Sequence, residues 1–240
     1  SREAMKEYKP IVLILQSFGI GDVIFCQNIA RFFMFQGREI LWPVNDSMYE
    51  GLRRAYPDIN FCRKSKVDPY YFGIKEMITI DGYEICPIRW SDTVMEKPYK
   101  DVMWTKHAMY GLPWSNWKEH AMWKRDQKKE AELMNIVGAD KAEPFLFVNC
   151  NFGGDGRRKA DITIPRGKVI EMRFIEGFSL FDWAAVMLAA TEIHSVSTSL
   201  LYMFELLPIT NPIHLYVRKP IEKDFSYVDY LFTKPYILHA

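Results

Sequence analysis

The apolar run Ile11-Val-Leu-Ile-Leu15 constrains this chain most, because the glycine-bearing turn Ser17-Phe-Gly-Ile-Gly-Asp22 follows it and apolar residues recur at helical spacing from Val23 to Gln36. Leucine and β-branched residues on both alternating faces suit a parallel strand covered on both sides. Strand, glycine turn and helix are the opening of a βαβ unit, and Gly37 is placed to end the helix. Glu39 to Val44 reads as a second strand, Asp46 or Ser47 as the cap of a helix from Met48 to Tyr56, and Ile59 to Cys62 as a third strand. The alternation predicts an α/β, Rossmann-like first half.

From Lys66 to Lys106 the pattern weakens, with strands expected only at Ile78–Ile80 and Tyr83–Cys86. Asp126 to Val137 reads as a helix closed by Gly138, and Gly138 to Pro144 as a linker. A second strand-and-loop pattern follows: strand Phe145–Val148, the glycine-rich loop Asn149 to Gly156, a strand at Val169–Met172, and a helix from Leu180 to Thr191 begun by Ser179 and Asp182. Glu192–Val196 reads as a strand, Thr198-Ser199 as the cap of a helix through Leu207, and Ile213–Val217 as one more strand. The expectation is two small Rossmann-like halves, 1–140 and 141–240, with the ligand crevice between them. Residues 220 to 240 read as an irregular or helical tail packing back on the first half.

Composition narrows the partners. With 31 Lys+Arg against 30 Asp+Glu, the net charge of +1 lacks the basic footprint of a general nucleic-acid binder, so any phosphate affinity must be local. The basic run from Lys118 to Lys129 is interrupted by Glu119 and Asp126, so no nucleic-acid partner is expected. Cys26, Cys62, Cys86 and Cys150 form no metal or redox pair and are too few for a disulfide scaffold, which points to a reducing cytoplasm. The opening residues are too polar for a signal peptide, and no stretch approaches about 18 apolar residues, so no transmembrane segment is expected. Transient membrane association and oligomeric state stay open in this reading.

Ligands of open α/β sheets sit beyond the carboxyl ends of the strands, which directs attention to Ser17–Asp22, Asn149–Lys159 and Ser197–Tyr202. Gly19 and Gly21 begin a dinucleotide fingerprint, but its third glycine falls at Ile24, which disfavours a nicotinamide cofactor. Asp22, at a helix start, is either a general base aimed into the crevice or a simple cap. In the second loop, Asn151, Gly153, Gly154, Arg157 and Arg158 form a glycine-and-arginine set able to hold a diphosphate, with a solvated turn as the plainer reading. Thr198 and Ser199 offer hydroxyls and helix-end amides to a phosphate, Tyr202 follows them, and Glu205 could accept bonds from ribose hydroxyls or be a surface charge. His194 could touch the ligand or serve as a structural histidine. No Asp-x-Asp pair is present and the five His are scattered, so no metal and no cofactor is expected. The aromatic stretch from Trp104 to Trp123 reads as core and packing between the halves.

The order of these motifs resembles compact GT-B glycosyltransferases, and most closely the heptosyltransferase-like branch. In that branch a Gly-Asp-Val opening precedes a helix, as in Gly21-Asp22-Val23 here, and an Asp-Trp-Ala-like helix precedes a strand and phosphate turn, as in Phe181-Asp-Trp-Ala-Ala185, Ile193–Val196 and Ser197-Thr-Ser199. Where the branch reads Asp-Thr-Gly-x-x-His, this chain has Ser197-Thr198-Ser199-Leu200-Leu201-Tyr202, keeping only the Thr. The resemblance implies that Asp22 deprotonates a glycan hydroxyl, which displaces a nucleoside diphosphate from a nucleotide sugar with inversion and without metal. The length matches a trimmed version, such as virus-encoded or multidomain glycosyltransferases carry. A noncatalytic nucleotide- or glycan-binding module is the alternative.

Overall fold

The structure is a computed structural model that describes residues 8–16, 19–88, 105–153, 158–219, 225 and 231–240. It is a mixed α/β fold built on two five-stranded sheets. The first contains β1 (Ile11–Leu15), β2 (Ile40–Val44), β3 (Phe61–Arg63), β4 (Thr79–Ile80) and β5 (Tyr83–Pro87), in the order β3-β2-β1-β5-β4. All neighbours are parallel except the β4–β5 hairpin at the edge. The chain adds β2 and β3 on one side of β1, then returns to the other side with β5. The order therefore reverses at β1, and a crevice opens beyond its carboxyl end.

The second sheet holds β6 (Phe145–Asn149), β9 (Lys168–Glu171), β10 (Glu192–Val196), β11 (Ile213–Tyr216) and β12 (Ile237–His239), all parallel, in the order β12-β11-β10-β6-β9. Every residue of β6 is buried, as its unbroken apolar run requires of a strand covered on both faces. Here the order reverses at β6, between β9 and β10. The tail from residue 220 does not stay irregular: β12 extends the second sheet, while Phe232 reaches back to Trp117, ring centroids 6.3 Å apart.

The expected helix from Val23 to Gln36 is two helices, α1 (Ile20–Phe25) and α2 (Gln27–Phe35), broken at buried Cys26. Across the break the Gln27 side-chain amide donates to the Val23 carbonyl at 3.1 Å. Helix α3 (Asp46–Ala55) links β2 to β3; α4 (Lys118–Ala121) and α5 (Gln127–Val137) precede the second sheet. The Asp126 carboxylate accepts the Lys129 amide, and Gly138, at φ 74, closes α5 in the left-handed conformation that glycine adopts without strain. Beyond β9 come a 3-10 turn, Leu180–Trp183, and then α6 (Ala184–Ala189) and α7 (Leu200–Leu206).

One cluster of buried apolar side chains runs from Val12 and Ile14 of the first sheet through Trp117 and Trp123 to Phe147 of the second and Val186 of α6. Each fully buried Leu, Ile, Val or Phe contributes about 1.5–3 kcal/mol to keeping that core dry. Backbones come close where side chains are absent. A Cβ at Gly51 of α3 would lie 2.6 Å from the Ser179 Cβ, and one at Gly21 of α1 would lie 2.8 Å from the Tyr202 ring. Next to the first contact, Arg54 of α3 binds Asp182 at 2.7 Å and Asp126 at 3.2 Å. The Asp182 carboxylate also accepts the Ser179 amide, as the Ser179–Asp182 spacing predicts.

Candidate active site

A crevice of about 820 Å³ lies beyond the carboxyl ends of β1, β6 and β10. Its first wall is the start of α1: Gly19, Gly21 and Asp22. Gly19 caps the helix with extended backbone, and a Cβ there would meet nothing within 4 Å, so its amide side is open. Gly21 has the opposite role, since its missing side chain is filled by Tyr202 and Ser199. Asp22 lies in the first turn of the helix. Its carboxylate forms an ion pair with the Lys106 ammonium; the Lys106 side chain is 0% exposed and that of Asp22 22%.

Lys106, which sequence reasoning missed, sits in a helical turn at 105–108. Its neighbour His107 anchors that turn, with Nε2 2.6 Å from the Asn28 Oδ1 and its ring edge-on to Phe25 at 4.5 Å. A lone Lys at the end of an unpatterned stretch carries no local signal; only the fold brings it to Asp22. Cys26, one turn beyond Asp22, is no nucleophile, because burial pushes its thiol up to about 12.

The second wall is less charged. Asn149 and Asn151 line it at the end of β6, with the Asn149 Oδ1 accepting the Asn151 amide at 3.3 Å. Gly153 lines it at φ 87, a conformation that requires glycine. From the end of β10, Ser197, Thr198, Ser199 and Tyr202 face the crevice. The Thr198 hydroxyl accepts the Leu200 amide at 3.3 Å, which ties down the turn before the helix, and Ser199 is the N-cap residue with no side-chain bond to the helix start. Arg173 and Arg218 supply cations, and Phe174, 87% exposed, supplies an apolar rim. None of these was legible as a site in the sequence, since no glycine motif or charge cluster marks them.

Several expected site residues lie elsewhere. Gly154 and Arg157 fall outside the described residues. Arg158 is exposed on a two-stranded antiparallel ribbon, β7 (Asn151–Phe152) with β8 (Arg158–Lys159), and does not line the crevice. Glu205, expected at the ribose, does not line the crevice. It is a buried anchor that accepts bonds from Lys118 at 2.6 Å, the Thr233 amide at 2.7 Å and the Tyr236 hydroxyl at 2.6 Å. Burial alone would raise its carboxyl, but Lys118, Thr233 and Tyr236 together hold it below the ordinary glutamate value. His194 is mid-strand in β10, buried away from the crevice, with Nδ1 3.0 Å from the Tyr216 hydroxyl and Nε2 2.9 Å from Glu192. Trp117 and Trp123 pack as core and between the sheets, against Tyr202 and Phe181, while Trp104 lies outside the described residues.

Two largely parallel α/β sheets with a crevice at their order reversals define a class of ligand-binding fold whose ligand sits at the strand ends. The same fold is found in solved glycosyltransferases. The chain is similar to the glycosyl transferase family 9 structure from Veillonella parvula, with a TM-score of 0.54 and 10% identity over 97% of this chain and 87% of that one. It is also similar to TibC, the iron-containing dodecameric glycosyltransferase of enterotoxigenic E. coli, with a TM-score of 0.52 and 11% identity over 87% of this chain. The chain spans 58% of the length of TibC. No protein-family model and no curated protein matches the sequence. Among the described residues no helix is long and apolar enough to cross a membrane.

Proposed function

We propose that the protein is a glycosyltransferase that moves a sugar from a nucleotide-diphosphate sugar to a glycan hydroxyl, with Asp22 as the base. The single observation that carries this is Asp22 itself: a carboxylate in the first turn of α1, at the strand-order reversal, lining the crevice of a fold shared with glycosyltransferases. Asp22 takes the proton of the acceptor hydroxyl, whose oxygen forms a bond to the anomeric carbon as the bond from that carbon to the diphosphate breaks. Attack opposite the leaving group gives inversion. The departing nucleoside diphosphate is negatively charged, and in this reading Arg173, Arg218 and the hydroxyls of Thr198 and Ser199 receive it without a metal. Donor on the second wall and acceptor on the first is the arrangement that puts Asp22 beside the attacking oxygen.

A second reading, a noncatalytic nucleotide- or glycan-binding module, is favoured by the Asp22–Lys106 ion pair, which occupies the carboxylate before any substrate arrives. One experiment separates the two. Nucleoside diphosphates and their sugars are screened by thermal shift, and the stabilising donor is then assayed for hydrolysis and transfer with wild type and Asp22→Asn. Transfer lost in Asp22→Asn with donor stabilisation kept supports the enzyme. Donor stabilisation without turnover in wild type supports the module, and equal turnover in both removes Asp22 as base.

A further inference from the structure

Away from the crevice, one face of the second sheet gathers imidazoles that the sequence scatters. His194 of β10 pairs in register with His214 of β11, and Tyr216 of β11 pairs with His239 of β12. Residues two apart on a strand share a face, so Glu192 and His194, His214 and Tyr216, and His239 all stand on the same side. The His194 and His214 rings stack at 4.2 Å and 6°. Both direct Nε2 to one oxygen, Glu192 Oε2, at 2.9 Å from His194 and 3.8 Å from His214. Their other nitrogens are held from behind: His194 Nδ1 by the Tyr216 hydroxyl at 3.0 Å, and His214 Nδ1 by His239 Nε2 at 2.8 Å.

We propose that Glu192, His194 and His214 form a binding site for a divalent transition-metal ion of the zinc class. The ligand atoms lie within 4.8 Å of one another. A tetrahedral ion with bonds of about 2.0–2.2 Å holds its ligands roughly 3.3 Å apart, so the set reaches bonding geometry when one imidazole turns out of the stack toward the shared ion. Two imidazoles and one carboxylate select zinc, cobalt or nickel over calcium and magnesium, which require oxygen cages. Partners on the far ring nitrogens are the usual support of metal-binding histidines, and they fix Nε2 as the ligand atom. The side chains of His194, His214 and Glu192 are 2%, 18% and 35% exposed, so the site is rooted in the sheet and opens at Glu192, where water completes the coordination. The ion would cross-link β10 to β11 and, through His239, brace the edge strand β12. It lies apart from Asp22 and takes no part in the proposed transfer.

The test uses the full chain, stripped with chelator and dialysed into metal-free buffer. Calorimetry with zinc chloride should give one saturable site per chain, and cobalt chloride should produce visible absorption bands of a nitrogen-and-oxygen-ligated ion. Glu192→Gln and His214→Asn, both at the exposed side, should each weaken zinc binding at least tenfold, and Tyr216→Phe should weaken it through His194 alone. Zinc should raise the melting temperature of wild type and leave that of Glu192→Gln unmoved, with circular dichroism confirming that each variant is folded. His120→Asn should change nothing. The proposal is overturned if wild type binds no zinc saturably, or if the Glu192→Gln/His214→Asn double variant binds it as tightly as wild type; the cluster is then a hydrogen-bonded ladder only.

Discussion

The turns that leave β1 and β10 are built to one plan and furnished differently. Each takes the carboxyl end of a central parallel strand into a helix start, and the two helix starts touch where Gly21 meets Ser199 and Tyr202. The first turn presents a carboxylate paired with a buried ammonium; the second presents hydroxyls. The difference teaches that equivalent positions in two sheets can be furnished with different chemistry, and under the proposed function it divides proton transfer from recognition of the leaving group.

Breaking the first wall should have the largest effect. Asp22→Asn is expected to lower the transfer rate by about 10²–10⁴-fold with the donor constant little changed, measured as kcat and KM on the donor found by thermal shift. Lys106→Met removes the buried partner and should destabilise the fold by about 1–3 kcal/mol in urea titrations. Gly21→Ala tests the contact between the walls. The added methyl meets the Tyr202 ring and should cost about 1–3 kcal/mol, whereas Gly19→Ala, facing open space, should cost well under 1 kcal/mol.

A smaller effect is expected from Glu205, which holds the tail below the second wall. Its folded-state carboxyl lies below 4.5, so its contribution is fully present above pH 4.5 and is lost as the pH falls from there through the lowered value. Glu205→Gln should therefore be less stable than wild type at pH 7, and the gap in urea midpoints should narrow below pH 4.5. The smallest effect separates two arginines: Arg173→Ala should weaken nucleoside diphosphate binding several-fold in calorimetry, while Arg158→Ala, outside the crevice, should leave it unchanged.

The elements with local signatures were readable in advance. Ile11–Leu15 and Phe145–Val148 are apolar runs, Gly138 marks a helix end, and Asp22 follows a strand and a glycine turn; each signal is carried by neighbouring residues. What escaped depends on register or on distant partners. Lys106 acquires its role only by reaching Asp22, Glu205 only by meeting Lys118 and residues 233–236, and the three histidines only because β10, β11 and β12 align. The break at Cys26 was also unreadable, since neither glycine nor proline marks it.

The glycine contacts at positions 21 and 51 bear on how a substrate enters. A core shared by both sheets, with glycine backbone packed against side chains at two points, resists the hinge opening that looser two-domain proteins use, because separating the sheets would wet Trp117, Trp123 and Phe181 together. The exposed rim at Phe174 is then the expected route of entry. Binding kinetics set there would respond to rim substitutions and be indifferent to any variant that stiffens the sheets.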